Sequence, residues 1–294
     1  MEQDVVGLLG KMDDYWEMIS THHTPSYSVN KETFDNKTVK VLTLSKHHQN
    51  WKLIFECPNL EEINLDQPSK EQVQAMDELT SLKRLIIKNF RTNNIEFVNT
   101  LVNVEEVALE YVSGFSDLSP LQNLLKLKSL HLENLRKVCS FDGLRRIKTL
   151  KYLHIDGTLD WKQPVENFSF LEELPELEIL SLMNIVNKTP FPAFLSVLKL
   201  KNMLGIRIPM QMLDTAEYAF LDSAKPHVKK GFEDRTSWPL YINKDYVDQG
   251  YVSLLGKGEG RIKLNHPEAS EKLKAYTEKY EKYKQKYLEI ILSQ

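Results

Sequence analysis

The chain has 294 residues, of which 41% are hydrophobic and 27% charged, which excludes a disordered protein and allows one long core with a small appended unit. Its 38 Lys+Arg nearly balance 41 Asp+Glu, whereas nucleic-acid binders usually carry a basic excess, so we expect no nucleic-acid partner. The two cysteines, the absence of a long apolar run and the absence of a secretory signal in residues 1–20 argue against disulfides, membrane association and export, and predict a cytoplasmic protein.

The first predicted element is an amphipathic helix near the amino terminus. Its apolar residues recur at helical spacing: Val5, Leu8, Leu9, Met12, Tyr15, Trp16 and Ile19. Acidic residues on the same stretch argue against a helix that lies on a membrane surface. We therefore predict that residues 1–37 form a cap that covers one end of the following array.

An internal repeat dominates the middle of the chain. Six segments share two apolar residues placed two apart and a third one three residues earlier: Leu60-Ile63-Leu65, Leu82-Leu85-Ile87, Val104-Val107-Leu109, Leu127-Leu130-Leu132, Leu150-Leu153-Ile155 and Leu177-Leu180-Leu182. The period is about 22 to 23 residues, with one longer interval. An earlier copy fits at Val39-Leu42-Leu44, and a later one at Leu204-Ile206 or, alternatively, at Leu198-Leu200.

Each repeat predicts one short strand and one tight return turn. Upstream of the strands the apolar residues continue at intervals of three, as in Leu118, Leu121, Leu124 and Leu127, which is the spacing of a tight helical turn. One such unit cannot bury its leucines alone, but stacked units bury them between neighbours.

The stretch from Phe115 to Leu132, with its leucines in register, resembles the internalin-like class of leucine-rich repeats. The resemblance covers about residues 38–208 and implies an α/β leucine-rich-repeat solenoid of about eight coils, with a parallel concave sheet, over residues 38–222. It also implies a scaffold that binds another protein. One departure is that the buried asparagine of the family is replaced by Phe90, Val112, Leu135 and Ile185, so we expect an apolar turn instead of an asparagine ladder.

The remaining residues, 223–294, form a separate predicted region. Residues 209–250 look irregular, and two apolar strands, 251–255 and 261–264, flank a glycine-rich turn, which predicts a β-hairpin. A final helix to about residue 292 has a heptad-like stripe: Leu273, Tyr276, Tyr280, Tyr283, Tyr287 and Ile290. This helix either packs back on the solenoid or hairpin, or mediates dimerisation or partner docking.

Catalytic motifs are not evident in the sequence. The run Gly256-Lys257-Gly258-Glu259-Gly260 lacks the spacing and the hydroxyl residue of a phosphate-binding loop, and no zinc, nucleophile-elbow or dinucleotide motif occurs. We therefore predict neither a metal site nor a cofactor. An enzyme that uses residues 209–264 is the third-ranked hypothesis; its candidate residues form no recognisable constellation and are Lys257, Arg261, His227 and Asp245.

The outward side chains of the strands form three predicted columns on the concave face. The leading column precedes the two inward residues of each strand, the middle column separates them and the trailing column follows them. We predict an acidic ladder in the trailing column beside two stacked histidines, and an apolar zone further along. The candidate partner-binding residues are Glu106, Glu110, His131, Glu133, Tyr152, His154, Asp156, Met183 and Met203.

These columns favour a non-catalytic scaffold that binds a protein with a basic segment, with Tyr152, Met183 and Met203 as anchors. A face that is merely solvated is the simplest alternative. An inhibitor or immunity-type protein that blocks a toxin or enzyme is the second functional hypothesis. The histidine pair also permits a metal site or pH-dependent binding.

Overall fold

The structure, a computed structural model, describes residues 26–30, 33–230, 240–241 and 250–292. The predicted amino-terminal helix, Asp245 and most of the segment between residues 231 and 249 lie outside these residues. In the described chain, one parallel sheet contains ten strands in the order β1-β2-β3-β4-β5-β6-β7-β9-β11-β12. These strands are Tyr27–Ser28 (β1), Val41–Leu44 (β2), Glu62–Asp66 (β3), Arg84–Lys88 (β4), Glu106–Glu110 (β5), Ser129–Glu133 (β6), Tyr152–Asp156 (β7), Ile179–Met183 (β9), Gly205–Arg207 (β11) and Lys229–Lys230 (β12).

Eight of these strands, β2 to β7, β9 and β11, each belong to one coil of a stack of repeats. Neighbouring strands pair in register, so that Val107, Leu130, Leu153 and Leu180 lie side by side and are at most 2% exposed. The leucines of each coil are thus buried by the coils on either side. The predicted leucine-rich-repeat solenoid of about eight coils is confirmed.

The return segments carry the predicted tight turns. Seven of the eight coils have a short helical turn before their strand, and one of these coils also contains the α-helix Lys70–Gln74 (α1). The 3-10 helices are Trp51–Glu56, Ala75–Glu78, Glu96–Thr100, Ser119–Asn123, Asp142–Leu144, Ser169–Glu173 and Leu195–Lys199. Their buried apolar residues, such as Leu121 at 0% exposure, fill the side of the core opposite the sheet.

The turn after the strand explains the departure from the family pattern. After five of the strands the next residue adopts a left-handed backbone conformation, for instance at Asn89 (φ 54°), Asn134 (φ 52°) and Asn184 (φ 46°), a conformation that asparagine tolerates well. The next residue points into the core, and Phe90, Val112, Leu135 and Ile185 are all buried. The predicted apolar turn is therefore confirmed.

A series of polar side chains instead connects neighbouring coils at the other end of the strands, in the segments just before them. Side chains there donate to a backbone carbonyl of the preceding coil: Ser81 Oγ to Leu60 O at 2.8 Å, Asn103 Nδ2 to Thr80 O at 2.9 Å, Thr149 Oγ1 to Leu127 O at 2.7 Å. Each such bond satisfies a carbonyl that the turn leaves unpaired.

The longer interval between the repeats at Leu153 and Leu180 contains a small insertion. Gln163–Val165 (β8) pairs in parallel with Ile185–Asn187 (β10) of the next coil. The Gln163 side chain is 1% exposed; its Oε1 accepts from Leu135 N at 3.0 Å, and its Nε2 donates to Val138 O at 2.6 Å. It therefore supplies turn hydrogen bonds of the kind that a ladder asparagine would make.

The carboxyl-terminal end differs from the prediction in one element. Residues 209–250 were expected to be irregular, but Thr215–Ala224 form an α-helix, α2. Its residues Tyr218, Ala219, Phe220 and Leu221 are 0% exposed. The helix is buried on most of its circumference, so it lacks the one-sided apolar stripe by which helices are recognised in sequences. The predicted boundary between residues 222 and 223 falls inside it.

The hairpin and the last helix complete this end. Leu240–Tyr241 (β13), Tyr251–Leu254 (β14) and Arg261–Lys263 (β15) form an antiparallel sheet, and Ala269–Leu292 form α3. Helix α3 packs on α2: Lys284 Nζ lies 2.9 Å from Asp222 Oδ2, and the Tyr287 ring lies 6.3 Å from that of Phe220. The tyrosine stripe thus covers the end of the solenoid.

Candidate functional site

The strand register places the three predicted columns side by side on the concave face. Glu110, Glu133 and Asp156 are direct neighbours in the trailing column, and His131 and His154 are direct neighbours in the middle column. Parallel strands lie about 4.8 Å apart, so side chains in one column contact one another. The predicted acidic ladder and histidine pair are therefore present as a geometric arrangement, and their role in binding stays a prediction.

The leading column is a buried structural row. Arg84 Nη2 lies 2.8 Å from Glu106 Oε2, and Arg84 Nη1 lies 3.3 Å from Glu62 Oε2. Burial lowers the pKa of Arg84 to about 10, against the opposing effect of the two carboxylates, and still leaves it charged. Because Glu106 is 9% exposed and paired in this triad, it serves the fold, unlike our expectation of a partner contact.

Tyr152, further along the leading column, is not an exposed anchor. Its side chain is 1% exposed, and its hydroxyl donates to Glu178 Oε2 at 3.0 Å. The tyrosine therefore fills space between neighbouring coils, which corrects the predicted anchoring role.

Met203 also departs from the prediction. Ile206 pairs with Leu180, and Arg207 pairs with Ser181, so the last repeat starts two residues later than the sequence spacing suggested. Met203 consequently precedes β11 and lies in the hydrophobic core at 6% exposure. Arg207 takes the place in the middle column beside Ser181, and the predicted apolar zone is reduced to the half-buried Met183.

The middle column brings the two histidines into ring contact. Their centroids lie 4.5 Å apart with the planes at 82°, and both rings are buried. Burial lowers the pKa of His154, and this exceeds the opposing effect of Asp156. The His154 ring is therefore neutral near neutral pH and acts as a hydrogen-bonding group instead of a cation.

The trailing column carries the accessible charge. His131 Nε2 lies 3.5 Å from Glu133 Oε2, and His154 Nε2 lies 3.6 Å from Asp156 Oδ2. Burial by itself raises the pKa of Asp156, but interactions with His154 and with Asn184, whose Nδ2 donates at 3.0 Å, hold that pKa below its usual value. Asp156 is thus an oriented, ionised carboxylate.

Three neighbours of the ladder were not among the predicted site residues. Lys88 Nζ lies 2.7 Å from Glu110 Oε2, so the charge of Glu110 is compensated within the protein. The Tyr111 side chain is 44% exposed; partial burial and, after it, the negative charge of Glu133 raise its pKa. Tyr111 and Asn184 both follow strands, and that position was noted only as a departure from the family.

The carboxyl-terminal candidates do not form a phosphate-binding loop. The amides of Gly256 and Lys257 donate to Met210 O and Leu213 O, both at 2.7 Å, so they are occupied by the protein's own carbonyls. Glu259 Oε1 joins this turn to Thr215 Oγ1 and Lys279 Nζ, both at 2.6 Å. Arg261 lies 5.5 Å from the ring centroid of Tyr251. The turn therefore connects α2 to α3 through hydrogen bonds and an ion pair.

The described part of the chain contains neither a cluster of metal ligands nor a membrane-spanning helix. No group of three His, Cys, Asp or Glu residues there could hold a metal ion. No helix there has the length and apolar character needed to cross a lipid bilayer.

Comparison with known proteins gives similarity at the level of solved structures. No protein family matches the chain, and no curated protein is significantly similar to it. An internalin (inlF) of Listeria monocytogenes is 16% identical over 68% of this chain and 55% of its own, with a TM-score of 0.47. Internalin C2 of the same organism is 17% identical over 58% and 69%, with a TM-score of 0.40. The chain thus spans about half of the first internalin.

A third similar structure is TLR13 in complex with ssRNA13, at 18% identity, with a TM-score of 0.39, over 57% of this chain and 28% of TLR13. Identities this low concern the fold alone. The comparisons give no support to the expectation that nucleic acid is excluded as a partner.

Proposed function

We propose that this leucine-rich-repeat protein, whose repeats are internalin-like, is a non-catalytic scaffold that binds a partner protein on the concave side of its sheet. The observation that supports this is the trailing column, where Glu133 and Asp156 present carboxylates from adjacent strands. No Lys or Arg of the described chain forms an ion pair with either carboxylate. Negative charge fixed on a rigid sheet attracts a positively charged partner and orients it.

The rigidity of the solenoid supports the same function. The core behind the trailing column is continuous from coil to coil, and its residues Leu132 and Ile155 are 1% and 0% exposed. Because the strands cannot shift without opening that core, the carboxylates keep their spacing before a partner arrives. Such preorganisation reduces the entropy cost of binding.

The test is capture of partners from a lysate of the source organism with the wild-type protein and with the triple variant Glu110→Lys, Glu133→Lys and Asp156→Lys. We expect a specific protein to be retained by the wild type and lost with the triple variant. A control variant carries three charge reversals on exposed acids of the convex turns: Asp77→Lys, Glu96→Lys and Glu172→Lys. This control should retain the partner.

Two further measurements separate loss of binding from unfolding, and protein binding from RNA binding. Thermal unfolding establishes that the triple variant is folded, and treatment with ribonuclease establishes whether retention passes through RNA. Retention by the folded triple variant, or loss of the partner after ribonuclease treatment, would contradict the proposed function. Loss of the captured partner's own activity in the complex would identify the inhibitor form of the same function.

A further inference from the structure

The insertion beside the acidic ladder forms a closed loop, residues 157–162. Thr158 N donates to Trp161 O at 2.6 Å, and Trp161 N donates to Thr158 Oγ1 at 3.0 Å. At its end, Gln163 N donates to Asn184 O at 2.8 Å, where β8 joins β10. Backbone bonds at both ends and across the loop fix its conformation, and it starts directly after Asp156.

This loop presents an apolar side chain. Leu159 is 91% exposed, the highest value among the exposed large hydrophobic residues of the described chain. Val186 on β10 is 37% exposed, and Trp161 and Met183, the strand partner of Asp156, are half-buried. Leu159 follows Asp156 by three residues, so the two lie within about 10 Å. Leu159 and Asp156 therefore place an apolar and an acidic contact side by side, which is the combination found between the apolar centre and the polar rim of a protein interface.

The acidic part of this edge has the geometry for one planar cation. Glu133 and Asp156 are paired in register, about 4.8 Å apart at the backbone, a separation that a guanidinium can bridge with its several N–H donors. The backbone N–H of Tyr111 donates to Glu133 O at 2.9 Å, and the exposed ring of Tyr111 offers a π face for the same cation.

The side chain of Asn134, the residue after Glu133, has a buried carbonyl oxygen that accepts no hydrogen bond from the described residues. Asn89 Nδ2 donates to Asp66 Oδ1 at 2.9 Å and Asn184 Nδ2 to Asp156 Oδ1 at 3.0 Å, so side chains at this position face the trailing column. Asn134 occupies the equivalent position after Glu133 and is 4% exposed. Its Oδ1 has no hydrogen-bond partner among the described residues, and a donor from a ligand would relieve that cost.

We propose that the edge formed by Tyr111, Glu133, Asp156 and the loop 157–162 binds a polypeptide segment in which an arginine stands close to an apolar side chain. The arginine pairs with Glu133 and Asp156 against Tyr111, and the apolar side chain packs on Leu159. This inference rests on the proposed scaffold function and adds the partner chemistry and the specificity-determining loop.

The probe is a phage-displayed library of random dodecapeptides, selected on the immobilised full-length protein. We expect enriched peptides to contain arginine with an apolar residue a few positions away. Synthetic copies are then titrated by fluorescence anisotropy against variants. The double variant Glu133→Gln and Asp156→Asn should weaken binding about tenfold or more, because charge-assisted hydrogen bonds are lost. Leu159→Ser should weaken it by about fivefold or more.

Matched controls lie outside this edge. Glu172→Gln removes an exposed carboxylate, and Leu125→Ser removes a leucine that is 72% exposed; both should bind the peptides like the wild type. Replacing the peptide's arginine with lysine should also weaken binding, since lysine cannot bridge two carboxylates in one plane. Glu133→Gln alone provides the charge test if the double variant does not fold.

Enriched peptides without a basic residue, or equal binding by the wild type and the folded edge variants, would overturn the inference. The outcome is distinguishable from failure of the proposed function. If a partner is captured from the lysate through the trailing column but no arginine-containing peptides are selected, the scaffold function stands and this inference is refuted. If neither a lysate partner nor arginine-containing peptides are found, both proposals are refuted.

Discussion

The imidazole rings of His131 and His154 meet edge to face, with their centroids 4.5 Å apart, on neighbouring strands of the concave sheet. Their contact follows from the repeat period, because β6 and β7 pair in register and place the two residues opposite each other. Each ring also lies within 3.6 Å of a carboxylate on its own strand. Burial is the larger cause that lowers the pKa of His154, and the neighbouring His131 lowers it further.

The first prediction concerns stability at mildly acidic pH. Burial lowers the pKa of His154 below 6.5 in the folded protein, so the unfolded chain takes up the proton first as the pH falls. The contribution of neutral His154 is present above pH 6.5 and is lost below it. In urea unfolding, the wild type should lose more stability than His154→Gln between about pH 7.5 and about pH 5.5. Equal losses would refute the assignment.

Glu217 should give a pH dependence of the opposite sign. The side chain is 5% exposed; burial raises its pKa from 4.5 to about 7, helped by Asp214 and opposed by the hydrogen bond from Ala193 N. Its contribution to stability is therefore lost as the pH rises from about 4.5 through about 7. Glu217→Gln should stabilise the protein at about pH 8 by up to about 3 kcal/mol.

The Glu217 prediction is checked by urea unfolding at about pH 5 and about pH 8. The variant's advantage should shrink at the lower pH, where the wild-type carboxyl is mostly protonated in the folded state. A variant that is less stable than the wild type at the higher pH would show that the carboxylate is accommodated in its charged form.

Leu130→Ala tests the shared core of the coils. Leu130 is 0% exposed and lies between Val107 and Leu153, so its truncation leaves a cavity and should cost about 2 to 5 kcal/mol of unfolding free energy. Leu125→Ala, at a site 72% exposed, should cost less than about 0.5 kcal/mol. Chemical unfolding measures both, and similar costs would contradict the stacked-coil core.

Gly157→Ala tests the packing at the base of the loop. A Cβ at this position would lie 2.3 Å from Asn184 O and 2.6 Å from Gln163 N. Because these are backbone atoms at the start of β8 and just before β10, which cannot move aside freely, we expect a loss of more than about 2 kcal/mol. Gly258→Ala has open space and a positive φ of 81°, so it should cost only about 1 kcal/mol. Thermal or urea unfolding compares the two.

The sequence predicted most of the concave face because a parallel in-register stack copies each repeat onto the next. The columns that contain Glu133 and His154 were correct for that reason. The prediction failed where the period changed: 26 residues separate Leu180 from its partner Ile206, and the assumed shorter spacing moved Met203 from the core to the surface. Helix α2 was missed because a helix buried on nearly every side has no apolar periodicity.

By itself, the sequence determined the solenoid, its approximate number of coils and the residues that share each column, since these depend on a local pattern repeated along the chain. Only the tertiary structure decided which outward side chains remain accessible. Tyr152 is covered and bonded to Glu178, Glu110 is neutralised by Lys88, and Leu159 is held in the open by its loop. Accessibility and charge compensation depend on neighbours about 22 or more residues away, and the repeat pattern of a single strand does not encode them.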